Sequence, residues 1–118
     1  MDELIERLEK AVGPDHELDL ILARMVAPGA IAHSSEHLPY TSSVDSALAL
    51  VERKLPGWAW YVERIAGIDT RPHICEADLW LPAQLGRGGR FRAGAPTAPL
   101  AILLALLKAL NSDSSNAP

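Results

Sequence analysis

The segment His33-Ser34-Ser35-Glu36-His37 has the H-x-x-E-H spacing used by hydrolytic zinc sites. That chemistry needs both imidazoles one helical turn apart on one helix face, so that they converge on the metal. The glutamate beside the second then serves as general base. Pro28-Gly29 precedes the segment and Pro39 cuts it off, which disfavours a helix there. No downstream carboxylate sits in an evident helical context to complete the ligand set. The expectation is an exposed polar loop, no metal and no cofactor. A metal-dependent hydrolase through His33, Glu36 and His37 ranks last among the functional readings.

Gly86-Arg87-Gly88-Gly89-Arg90-Phe91-Arg92-Ala93-Gly94 has the composition of an anion- or RNA-contacting loop. Glycines let the backbone approach a phosphate, and arginines beside an aromatic can pair and stack with nucleotides. The segment lacks the Gly-Lys-Ser/Thr ending of a phosphate-binding loop, and no helix directly follows its glycines. A nucleic-acid or nucleotide binder using Arg87, Arg90 and Arg92 is therefore the second reading, behind a partner-contact loop. Cys75 lies on the same strand face as Ala77 and Leu79, where a thiol behaves as a small hydrophobe rather than a nucleophile. Trp58 and Trp60 alternate in a way that places them under a helix. Trp80 points the other way, beside Glu76 and Asp78, and an outward tryptophan near a basic loop is an interface signal.

Charge and composition narrow the field. The net charge is −4 over 118 residues, which argues against general nucleic-acid binding. Its distribution is polar: residues 1–36 hold eight acids against Arg7, Lys10 and Arg24, whereas residues 84–96 hold three arginines and no acid. Such a field can steer a charged partner. Glu6, Glu9, Asp15 and Asp19 form an acidic helical corner, and Arg87, Arg90 and Arg92 with Trp80 form a basic patch. These eight residues are the candidate partner contacts. A lone cysteine fits a reducing compartment, and the opening Met1-Asp2-Glu3-Leu4 is acidic rather than basic and apolar. The longest apolar run, Leu100–Leu107, is far short of the roughly 20 residues of a bilayer span. The expectation is a cytoplasmic protein that does not engage membranes.

The elements that would position these groups follow from periodicity. Leu4, Ile5, Leu8 and Val12 mark a first helix with Asp2 at its start and Gly13 at its end. Pro14 then opens a second, striped by Leu18, Ile21, Leu22, Met25 and Val26, with its acids facing water. Residues 27–42 read as a connector holding a short strand at His37–Thr41. A third helix starts at Ser42 or Ser43, buries Val44, Ala47, Leu48, Val51 and Leu55, and stops at Pro56-Gly57. The period then changes to two: Trp58, Trp60 and Val62 share one face, and Cys75, Ala77, Leu79 and Leu81 share one face of a second strand. A third strand near Phe91 is allowed. Thr97 caps a closing helix at 98–110 that is apolar on every side, so it must lie inside the fold or form a dimer seam. The fold class is α+β: a two- or three-stranded antiparallel sheet packed by about four helices, in the order α-α-α-β-β-α. Residues 1–111 form a single domain, 112–118 a disordered tail, and the helices cover the sheet from more than one side.

Three segments carry a resemblance. Leu4 to Ala11, followed by Gly13-Pro14-Asp15 and Glu17-Leu18-Asp19, is the first. Tyr40 to Leu48 with Gly57-Trp58-Ala59-Trp60 is the second, and Ala95 to Ala101 with Leu107-Lys108-Ala109 the third. In order and spacing they resemble the phage ABA-sandwich domain family, small phage and prophage proteins mostly of unknown function. Between the second helix and Tyr40, where family members often carry tryptophan and proline, this chain has Ala30 to Leu38. The resemblance implies a sandwich-like fold and a phage setting, and brings no catalytic residues. The leading functional reading is a non-enzymatic phage or prophage accessory protein that binds a host protein or complex, as in blocking a defence or nucleic-acid-processing assembly. A homodimer stays open.

Overall fold

Local signals set the ends of most elements. A computed structural model describes residues 2–26, 39–64, 75–82 and 90–115. Among the described residues, three helices come first: α1 (Asp2–Lys10), α2 (His16–Val26) and α3 (Val44–Lys54). Strands β1 (Ala59–Arg64), β2 (Cys75–Trp80) and β3 (Phe91–Ala95) follow, and α4 (Ala98–Ser115) closes the fold. Ser43 caps α3, its hydroxyl accepting from the Ser46 N–H at 3.1 Å. Gly57, at φ 85°, lies in the left-handed region that turns the chain out of α3 toward β1. Thr97 starts α4: its carbonyl takes the Ala101 N–H at 3.1 Å and its hydroxyl the Leu100 N–H at 3.4 Å.

The sheet is antiparallel in the order β1-β2-β3. Trp60 lies opposite Leu79 and Val62 opposite Ala77, while Leu79, Ala77 and Cys75 lie opposite Phe91, Ala93 and Ala95. These residues make one face, and α4 packs against it. The opposite face carries Tyr61 and Glu63 from β1, Glu76, Asp78 and Trp80 from β2, and Arg92 and Gly94 from β3.

Helix α4 is the centre of the molecule. Every side chain from Leu100 to Leu107 is buried, because the sheet covers one side of the helix and α1 and α3 cover others. An all-round apolar helix finds its cover within its own chain, so the dimer seam left open for it is not needed. The α+β class and the helix–strand order agree with the sequence, and the third strand is present. No helix among the described residues is long and apolar enough to cross a membrane.

Several expectations are corrected. Pro39 to Thr41 form a turn rather than a strand, closed by Ser42 and Ser43 N–H groups donating to the Pro39 carbonyl at 3.3 and 3.0 Å. His37 and Leu38 lie outside the described residues. Helix α1 ends at Lys10, leaving Val12 at 81 % exposure beyond it. The buried face of α3 is Ala47, Leu50 and Val51, continued by Leu55, while Val44 is exposed and Leu48 only half-buried. Helix α4 runs past Asn111 to Ser115 instead of giving way to a tail at Ser112. Among the described residues, helix-on-sheet packing comes chiefly from α4 on a single face, not from helices on both.

Candidate interaction surface

The outer face of the sheet centres on Asp78. This carboxylate stands in the middle strand, flanked by Tyr61 on β1 and Arg92 on β3, and its side chain is almost wholly buried. A buried carboxylate away from water must be paired. Arg92 meets it as a fork: Nε donates to Oδ1 and Oδ2 at 3.3 and 3.2 Å, and Nη2 donates to Oδ2 at 2.9 Å. Hydrogen bonding to Asp78, reinforced by its charge, raises the Arg92 pKa further above its already high value. The same guanidinium reaches Glu76 at 4.0 Å.

Arg90 completes the group. Its guanidinium carbon sits 4.6 Å from the centroid of the Trp80 ring, and Nη1 lies 3.9 Å from Asp78 Oδ2. Stacking holds the planar cation on the indole while leaving the arginine half exposed. Tyr61, at 53 % exposure, forms the apolar flank on the other side of Asp78. The arrangement is a fixed mosaic of indole, phenol, two guanidinium groups and three carboxylates. It can recognise a polar surface with an apolar patch. It holds no pair of groups arranged as nucleophile and base.

Of the eight residues singled out from sequence, Trp80, Arg90 and Arg92 come together here, and Arg87 lies outside the described residues. The acidic corner does not survive as one surface. Asp19 is 3 % exposed, with Oδ1 accepting the Thr41 N–H at 2.7 Å. Asp15 caps α2, its Oδ1 accepting from the Leu18 N–H at 3.1 Å. Its own N–H donates to Thr41 Oγ1 at 2.8 Å, and its carbonyl accepts from that hydroxyl at 3.2 Å. Asp15 and Asp19 thus clamp α2 to the turn before α3, Asp19 buried and Asp15 half-buried. Glu6 is exposed but bonded to Lys10 Nζ at 3.0 Å, and Glu9 is exposed. Two residues of the outer mosaic, Asp78 and Tyr61, had no separate signal in the sequence. Their roles depend on cross-strand register, which alternation within one strand does not give.

Trp58 is half-buried against Phe91 of β3, ring centroids 6.0 Å apart. Trp60 is not: on the edge strand it is 43 % exposed. Cys75 is buried, as expected, at the rim of a cleft of about 470 Å³ that Val62, Arg64 and Thr97 also line. His33, Glu36 and His37 lie outside the described residues. Among the described residues there is no cluster of three or more metal-ligating side chains. No family model, curated protein or solved structure matches the chain.

Proposed function

We propose that this protein is a non-enzymatic interaction domain that binds another protein through the outer face of its sheet, in a phage or prophage setting. The observation that carries the reading is Arg90 stacked on Trp80 beside the buried Asp78–Arg92 pair. It is a preorganised cation over an aromatic platform, the kind of anchor that dominates protein interfaces. The resemblance to phage ABA-sandwich proteins supports the setting and a host protein or complex as the partner. Nucleic acid is a weaker fit, because the described arginines of the loop are matched by Asp78 and Glu76 rather than presented to phosphate.

The test is capture of a partner from host lysate, with crosslinking to locate the contact. Trp80→Ala and Arg90→Glu should each abolish retention of a partner that wild type holds, while Glu9→Lys on α1 leaves it intact. A partner lost only with the α1 change, or none retained by wild type, would count against the outer face.

A further inference from the structure

We propose that the outer edge of β1 binds a second copy of this chain, the two β1 strands pairing antiparallel about a two-fold axis through Val62. Among the described residues, β1 has β2 on one side and no strand on the other. Edge strands are usually protected by charged side chains, lysine above all, by proline, bulges or brevity, or by a covering helix or loop. The other edge, β3, is five residues long, holds Gly94 and runs into Pro96. Strand β1 has six paired residues with neither proline, glycine nor lysine; its two charges, Glu63 and Arg64, are opposite in sign, and it exposes both Trp60 and Tyr61.

The sequence of β1 is complementary to itself about Val62. One residue away on either side stand Tyr61 and Glu63, and two residues away stand Trp60 and Arg64. Antiparallel pairing through Val62 places Tyr61 opposite Glu63 of the second copy, and Trp60 opposite its Arg64. Both are favourable cross-strand pairs, a phenol with a carboxylate and an indole with a guanidinium. Each occurs twice in the dimer. Tyr61 and Glu63 lie on the outer face, and Trp60 and Arg64 on the face toward α4. A two-fold axis perpendicular to the sheet keeps these faces matched and makes one six-stranded sheet with both helical layers on the same side. Centring on Glu63 instead would oppose two carboxylates, and centring on Tyr61 leaves Glu63 opposite Ala59. Charge complementarity therefore selects both the occupant and the register.

Sedimentation equilibrium of the full chain tests this. A single strand pair is a small interface, so association is expected in the range of about 10–100 μM. Trp60 is exposed, and its substitution spares the core. Trp60→Arg opposes Arg64 of the second copy and should weaken association about tenfold, the loss being counted twice. Trp60→Glu faces the same guanidinium and should retain association, and Trp60→Arg with Arg64→Glu should restore it. Circular dichroism monitors folding of each variant. Wild type that remains monomeric at about 300 μM, above the range a specific edge contact requires, would overturn the proposal. So would equal behaviour of Trp60→Arg and Trp60→Glu. Trp80→Ala and Arg90→Glu lie off the β1 edge and should leave association unchanged, which separates this surface from the outer-face reading.

Discussion

Asp19 and Thr41 show how a charged residue becomes structural. The carboxylate has left water, and its nearest described donor is a backbone N–H that would otherwise be stranded in the turn before α3. Asp19→Ala should cost about 1–3 kcal/mol, because it leaves that buried donor unpaired. Urea denaturation measures it, and an effect under about 0.5 kcal/mol, the level of an ordinary surface change, would contradict the clamp. Tyr40 next to it is buried, and burial raises its pKa from 10.0, opposed by Arg53 and assisted by Asp19. A folded-state pKa above the unfolded one means that this contribution is fully present below pH 10.0 and is lost as pH climbs through the raised folded value. Thermal melts between neutral pH and pH 11 should show an alkaline loss that Tyr40→Phe reduces. An identical loss in both proteins would assign it to other groups.

Among the elements, α4 carries the largest share of the core. Leu103 is fully buried in the stretch from Leu100 to Leu107. Leu103→Ala removes packing that no neighbour can easily refill and should cost about 2–5 kcal/mol. Val44→Ala at the exposed start of α3 should cost well under about 1 kcal/mol, although both are apolar residues in helices. Chemical denaturation of the two variants checks the contrast. The comparison also shows what periodicity can and cannot say. An apolar repeat with no polar side can only mean cover on several sides, so the central position of α4 was legible. In α3 the same residues admit more than one phase. The stripe through Val44 and Leu48 competes with one through Ala47, Leu50 and Val51, and only the position of α4 against this helix decides for the second. Val12 fails for a simpler reason. The Ala11 N–H turns back to the Leu8 carbonyl at 3.2 Å, the helix stops, and a residue at helical spacing beyond its end has no face to share.

In the whole molecule, the sheet has one face on α4 and another that carries the paired charges of Asp78, Arg90 and Arg92. The two proposed contacts follow from that asymmetry: an outer face that presents a mosaic of fixed groups, and an edge strand that ends the sheet with exposed aromatics. Neither contact needs the other, and their variants are separable. The amino-acid sequence by itself determined the α+β class, the helix–strand order, the cap at Thr97, a cap at Ser42 or Ser43, the turn at Gly57 and the burial of Leu100–Leu107. Each of these depends on neighbours within a few residues, or on an apolar pattern too continuous to be left in water. Tertiary structure alone decided that Asp19 is buried while Glu9 is exposed, that Asp78 faces Arg92, and that Trp60 stands exposed on the edge strand of the described sheet. Those outcomes depend on which strand lies beside which, and in what register. Register brings together residues far apart in the chain, and alternation within a single strand carries no record of it.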